Sequence, residues 1–261
     1  MKKKKSIVDN RRDKIFQKLQ HVGTVKVDEL AIEMAVSELT IRRDLQYLED
    51  MKLIERFYGG AMMVNNIVVR QDISQNKALC KHAIAKYAAS LIDDGDIIFI
   101  NTSSTALTLL DYLKDKRVTV VTNNGKAIFS RRDPLVSVIL TGGELRTPKE
   151  SMVGEIAIEQ LKKITANKSF LGCCGLKAAT GFTTAILQEV PINTLMNERC
   201  TGTRFLLCDH TKIGNESNFV SGNINENFHV ITDTGADIDE IVKLRQKGVK
   251  TSIVKPLKRL D

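Results

Sequence analysis

The sequence predicts an α/β protein in two parts: a small helical unit closed by a β wing, then a mostly parallel, doubly wound sheet. Three observations carry that expectation. Residues 10–60 show helical periodicity and then a strand-turn around Gly59-Gly60. Beyond about residue 75, short and nearly continuous apolar runs alternate with helical segments, the pattern of strands buried on both faces. A chain of 261 residues, 43% hydrophobic, is long enough for one or two packed cores.

In the first part a helix is predicted over about Asn10–Gln20, with Ile15, Phe16 and Leu19 on one face, ended by "HVGT". A second runs from about Val27 to Ala35. "AVS" turns the chain, and Ser37 is a good N-cap for a third helix reaching about Met51. "LIERFYGGAM" follows as a strand-turn or wing. Residues 62–75 show no sustained period and are expected to be a linker. The expected organisation is therefore a small helical unit with a wing over 1–61, a linker over 62–75 and an α/β unit over 76–261.

In the second part a helix over about Lys77–Ile92 precedes the strand "DIIFI". Further strands are expected at "VTVVTN", "VSVILTGG", "KSFLGCCGL", "TRFLLCD", "HVITD" and "KTSIV", with helices between them. Cys173 and Cys174, adjacent within one of these runs, are expected to face opposite sides of a strand. The five cysteines are irregularly spaced, which fits reduced thiols in a cytoplasmic protein better than a disulfide framework.

The net charge is +8, but residues 1–60 carry 13 Lys and Arg against 10 Asp and Glu, so bulk charge names no partner. "MKKKKS" lacks the apolar run that would make it a secretory signal, and no stretch approaches the length of a membrane span. No dinucleotide fingerprint, phosphate-binding loop or metal-ligand spacing is present, so no cofactor and no metal are expected.

The third helix carries the chemistry of the first part. Ile41, Leu45 and Leu48 recur at helical spacing and define its buried stripe. Arg43 lies opposite, near Leu39 and Gln46, with Thr40 and Arg42 on the flanks. A guanidinium, an amide, a hydroxyl and an aliphatic group together suit phosphates, base edges and a thymine methyl in a major groove. A helix, a short turn and a second capped helix form a helix-turn-helix, whose second helix enters that groove. The candidate DNA contacts are Lys26, Ser37, Leu39, Thr40, Arg42, Arg43, Gln46 and Tyr58, with the N-terminal lysines adding phosphate contacts. Asp44 reads as structural, paired with a neighbouring basic side chain.

In the second part, Thr102, Ser103, Ser104 and Thr105 follow "DIIFI" and precede a helix, a ready place for a phosphate or carboxylate. Asn123, Gly142, Gly143 and Lys212 fall at the ends of neighbouring strands, where open α/β sheets place ligands. These eight residues are the candidate effector site. Each also has a plain structural reading as a cap, turn or surface charge.

"VKVDELAIEMAVSELTIRRDLQYLEDMKLIERFYGGA" closely resembles the N-terminal winged helix of the DeoR family of bacterial transcriptional regulators. The family core V-S-x-x-T-I-R-R-D-L is matched from Val36 to Leu45, and the wing at Gly59, Gly60 and Ala61. Met51-Lys52 stands where the family often has a glycine. The resemblance continues through "NTSST", "VTNN", "TGGE", "FLGCCG", "GFTT" and "DHTKIG", counterparts of motifs in the family's C-terminal domain. It implies a fold similar to ribose-phosphate isomerases and CoA transferases, and a phosphorylated sugar that alters DNA affinity. Asn101, Ser103 and Asn167 replace the usual Asp, Gly and Asp, which changes which hydroxyls can be held.

Isomerisation or deamination would need a carboxylate base, and "NKSFLGCCGLKAATGFTT" has none, leaving Glu144, Asp209 and His210 as remaining candidates. The expectation is a cytoplasmic, non-enzymatic transcriptional regulator, a repressor of carbohydrate genes, acting on double-stranded operator DNA as a homo-oligomer. Two rivals remain: a sugar-phosphate enzyme with a DNA-binding appendage, and a constitutive DNA binder whose second unit only oligomerises.

Overall fold

The computed structural model describes residues 2–51, 53–57, 59–63, 67–147 and 149–259, with backbone alone for 2–7, 9 and 67–75. The chain separates into two compact units, Met1–Gln75 and Asn76–Asp261.

The first unit begins with helix α1 (Lys2–Val22), eight residues earlier than periodicity predicts, because neither Gly nor Pro interrupts it before Gly23. Gly23 adopts φ 74°, and its N–H closes the helix on the Leu19 carbonyl at 2.8 Å. A short strand β1 (Thr24–Lys26), absent from the sequence expectation, leads into α2 (Val27–Glu33). Then come α3 (Glu38–Asp50), β2 (Ile54–Phe57) and β3 (Gly60–Met63). β1 joins the wing as a three-stranded antiparallel sheet in the order β1-β3-β2. Gly60 is required where β3 passes β1, since a Cβ there would lie 2.5 Å from the Phe57 ring and strike the Val25 carbonyl. Ile15, Leu19, Leu30, Ile41 and Leu45 are fully buried in one cluster, so the predicted seam of α3 is a core seam.

The turn between α2 and α3 is a Schellman motif. Val36 N–H donates to the Ala31 carbonyl at 3.1 Å and Ala35 N–H to that of Ile32 at 3.2 Å. Ala35 stands at the left-handed position, φ 52°, where glycine carries no steric penalty. Ala35→Gly is expected to stabilise this unit by about 1 kcal/mol, read as a higher denaturation midpoint. An unchanged or lower midpoint would show that the turn is not under that strain.

Residues 64–66 lie outside the described residues, but the linker expected over 62–75 is helical from Ile67 onward. Helix α4 spans Ile67–Ser90 without a Gly or Pro to break it, so lack of apolar period did not prevent a helix.

The second unit is built on a seven-stranded, all-parallel sheet. Its strands are β4 (Ile97–Ile100), β5 (Val118–Thr122), β6 (Val136–Leu140), β9 (Lys168–Gly172), β12 (Arg204–Leu207), β14 (Phe228–Asp233) and β15 (Lys250–Val254). The order is β15-β14-β12-β9-β4-β5-β6. Successive residues alternate between two cores. Phe99, Val121, Leu171, Leu206 and Val230 face one cluster, and Ile98, Ile100, Val120, Phe170 and Ile231 face the other. Helices α6 (Glu155–Lys162), α7 (Val190–Glu198) and α8 (Ile238–Gln246) supply the first cluster, α4 and α5 (Ser104–Thr108) the second.

Three features differ from expectation. "KSFLGCCGL" is not one strand: β9 ends at Gly172, and β10 (Gly175–Lys177) starts a separate antiparallel sheet with β11 (Gly181–Thr184) and β13 (Phe219–Gly222). Cys173 and Cys174 therefore sit between strands rather than on opposite faces of one. A hairpin of β7 (Glu144–Arg146) and β8 (Ser151–Val153) precedes α6. The helix expected after β5 is only a 3-10 segment, Gly125–Phe129.

Candidate functional site

On α3 the sequence fixes which side faces out. Ile41, Leu45 and Leu48 are at most 4% exposed, whereas Leu39, Arg42, Arg43 and Gln46 are exposed. Ser37 caps the helix, its Oγ accepting from Thr40 N–H at 3.3 Å and lying 2.9 Å from Thr40 Oγ1. Arg42 pairs with Glu38 one turn back at 2.8 Å, an exposed pair worth little to stability. Arg43 has no hydrogen bond or ion pair among the described residues, so its five donors are free. Gln46 donates to Asp50 Oδ1 at 2.9 Å and accepts from Arg56 of the wing, a cost to be met before it can contact a base. Exposed Lys26 ends β1 and lies 3.6 Å from Glu29. Tyr58 lies outside the described residues, as do the side chains of Lys2–Lys5.

Asp44 is on the same helix but turned inward, 2% exposed, accepting from Arg11 Nε at 2.6 Å and Arg12 Nε at 2.9 Å. Arg12 in turn lies 3.8 Å from the centre of the Tyr47 ring. The carboxylate fastens α1 to α3 and keeps its charge off the exposed face.

In the second unit the strand order reverses direction between β4 and β9, the switch point where open α/β sheets leave a crevice. Asn101, just after β4, spans it. Its Nδ2 donates to the Gly172 carbonyl and to Asn193 Oδ1, both at 2.9 Å, while its Oδ1 accepts from Gly172 N–H at 3.0 Å and Ser103 N–H at 3.2 Å. Gly172 has no room for a side chain, because a Cβ there would strike Ser103.

A cavity of about 380 Å³ opens over this crevice. Of the predicted effector residues, Thr102, Ser103, Ser104, Thr105 and Lys212 line it. Asn123, Gly142 and Gly143 do not. Asn123 is buried and donates to the Met152 carbonyl at 3.1 Å, and its neighbour Asn124 takes the place in the wall. Gly143 is a packing glycine: a Cβ would meet the Val153 carbonyl at 2.5 Å.

Four further lysines, Lys77, Lys81, Lys126 and Lys149, join Lys212 in the wall, none of them singled out by the sequence. Lys81 Nζ donates to Ser104 Oγ at 2.9 Å. Burial lowers its pKa, Asp209 opposes that, and the charges of Lys77 and Lys212 lower it further. Two cations crowding a third is an arrangement that an anion relieves. Helix α5 has only five residues, so these lysines rather than a helix dipole supply most of the positive field.

Two carboxylates share the cavity. Asp209 caps the following turn through Thr211 N–H at 3.1 Å. Glu189, missed in the sequence, accepts from Thr184 Oγ1 at 2.7 Å and Thr102 Oγ1 at 3.2 Å, with Lys149 at 3.7 Å. Glu144 is exposed on β7, away from the cavity wall. Asn167 is also elsewhere: its Oδ1 accepts from Ile97 N–H at 2.8 Å at the opposite end of the strands, so its replacement of an Asp does not bear on this cavity.

Cys80, His210 and Asp233, scattered in sequence, come within 4.8 Å of one another. Asp233 accepts from His210 Nδ1 and His210 N–H at 2.8 Å each and from Gly235 N–H at 3.0 Å, which accounts for its burial. Burial and then Asp233 push the Cys80 thiol up to about 11.

Residues 11–66 match the DeoR-like helix-turn-helix domain, and residues 76–234 match the DeoR C terminal sensor domain. The chain belongs to the DeoR family. Among its relatives, the HTH-type transcriptional regulator YulB of Bacillus subtilis is 32% identical over 97% of this chain and 99% of that protein. The lactose phosphotransferase system repressor of Staphylococcus aureus is 29% identical over 85% of this chain and 91% of its own length. The chain is also similar to ribose 5-phosphate isomerase A of Methanocaldococcus jannaschii. That likeness has a TM-score of 0.37 at 17% identity, over 52% of this chain and 54% of that one, too distant to bear on chemistry. This DeoR-family chain is thus a DNA-binding transcriptional regulator with a sensor unit. No helix among its described residues is long and apolar enough to cross a membrane.

Proposed function

We propose that the outward face of α3 reads operator DNA and that a phosphorylated sugar in the lysine-lined cavity changes the affinity for it, making the protein a repressor of carbohydrate-metabolism genes. The observation that carries this reading is that Lys77, Lys81, Lys126, Lys149 and Lys212 line one cavity with the hydroxyls of Thr102 to Thr105. Cations suit a phosphate, and hydroxyls with Asn124 suit a polyol. A relative named as a lactose phosphotransferase system repressor supports the carbohydrate setting. To act as a switch, the sugar phosphate must bind the DNA-competent and incompetent states unequally. One recognition helix covers a short footprint, so two or more copies on one operator, in the cytoplasm, complete the proposal.

Binding without turnover is part of it. Glu189 already accepts from two hydroxyls and Asp209 Oδ1 from its own turn, so both carboxylates serve to hold the cavity wall. A panel of phosphosugars tested by thermal shift is the direct experiment. A true effector at 100 times its Kd adds about 2.7 kcal/mol of stability, and Lys81→Ala should abolish most of that shift. No shift with any phosphosugar leaves an oligomerisation unit, and chemical conversion of one makes the protein an enzyme.

For the DNA face, Arg43→Ala is expected to weaken specific binding by about 1–3 kcal/mol and relax the sequence preference. Measured by titration against operator and scrambled duplex, equal losses on both would reduce Arg43 to a phosphate contact. No loss on either removes it from recognition.

A further inference from the structure

We propose that Cys173 and Cys208 form a peroxide-oxidisable dithiol in the wall of the sensor cavity, a modification site where a disulfide staples the C-terminal ends of β9 and β12. These strands are parallel neighbours, with Gly172 opposite Leu207 in register. The next residue on each is a cysteine, and the two Sγ atoms lie 3.1 Å apart. Adjacent strands about 4.8 Å apart fall inside the Cα separations that disulfides span, so closing the remaining ~1 Å between sulfurs needs little backbone movement.

The two thiols have unequal access, which assigns their roles. Cys173 is half-buried and lines the cavity, so a small oxidant reaches it by the opening that admits an anion. Cys208 is 1% exposed. Its hydrogen bond with Cys173 and then its burial raise its pKa well above that of an ordinary thiol, so it waits as a protonated partner.

The other cysteines are placed differently. The Cys200 sulfur is held against backbone carbonyls of Asn167, Gly202 and Thr203 at 3.6–3.8 Å. Cys80 lies buried beside Asp233. Cys174 has no sulfur within bonding reach among the described residues, and its N–H is fixed to the Thr183 carbonyl at 2.8 Å.

The chemistry balances with a peroxide as the named oxidant. The Cys173 sulfur, as thiolate, attacks one peroxide oxygen. The O–O bond breaks, and the leaving oxygen departs as water after taking a proton, which leaves a sulfenic acid. The Cys208 sulfur then attacks the Cys173 sulfur, and its proton goes to the departing hydroxyl as a second water. Two thiols lose two electrons, and one peroxide gains them. A cellular dithiol reverses the step, as for other redox-responsive cytosolic disulfides.

The test uses the full-length protein, reduced, freed of reductant and treated with hydrogen peroxide, then alkylated under denaturing conditions and mapped by mass spectrometry. From five alkylatable cysteines the count should fall to three, with the peptides carrying Cys173 and Cys208 joined. Cys174→Ser should behave like wild type. Cys208→Ala should give no crosslink and a Cys173 sulfenic acid that dimedone traps, and Cys173→Ser should keep all its remaining thiols. Full alkylation of the wild type under peroxide that fully oxidises a control dithiol overturns the proposal. So does a crosslink that joins Cys173 to Cys174, or one that forms between molecules.

Discussion

Asp44→Ala is expected to destabilise the helix-turn-helix unit by about 3 kcal/mol and to abolish operator binding through loss of the fold rather than loss of a contact. The carboxylate is 2% exposed and serves two guanidinium groups, Arg11 at 2.6 Å and Arg12 at 2.9 Å. Removing it leaves both arginines without an acceptor and opens a cavity between α1 and α3. They are 15% and 21% exposed, so they can swing partly into water, which keeps the cost at the lower end for a broken buried pair. Hydrogen exchange of α3 amides measures this locally, independently of the second unit. Unchanged protection would mean that the arginines are bystanders. The contrast variant is Glu38→Ala, which breaks an exposed pair with Arg42 and should change stability little.

Asn101→Ala should cost the sensor unit about 2–4 kcal/mol, since each buried polar group left unmet costs about 1–3 kcal/mol. Both hydrogens and both lone pairs of the Asn101 amide are used, binding Gly172 from both sides and tying in Asn193 and Ser103. Water entering from the cavity can satisfy some of those groups, which sets the lower bound. Phosphosugar binding should fall with stability, because Ser103 and Gly172 are held in place by the same amide. Thermal unfolding of the variant decides this. A melting temperature within about a degree of wild type would show that the amide is not the clasp of the switch point.

Asn101 also shows where reading the sequence stops. Its replacement of an Asp looked like a change in how hydroxyls are held, but the amide faces the scaffold with its full bonding capacity. Asn167 looked like a second such change and lies at the other end of the strands. Asn123 and Gly143 stand after strands as ligand-binding residues do, yet they pack against Met152 and Val153. Conversely, Lys81 on α4 and Glu189 before α7 look ordinary in sequence, and the fold brings both to one cavity.

The sequence by itself determined what depends on near neighbours: the Ile41-Leu45-Leu48 seam, the outward Arg43, the Ser37 cap, and seven apolar runs that became seven parallel strands. Helical and strand periods follow from backbone geometry over a few residues, so they are written locally. Only the tertiary structure decided which charges meet, because Lys81 and Ser104 are 23 residues apart, Asn101 and Gly172 71, and Thr102 and Glu189 87. Contacts of that span are fixed by strand order, and strand order is settled by the packing of both sheet faces at once, for which no short stretch of sequence carries a signature.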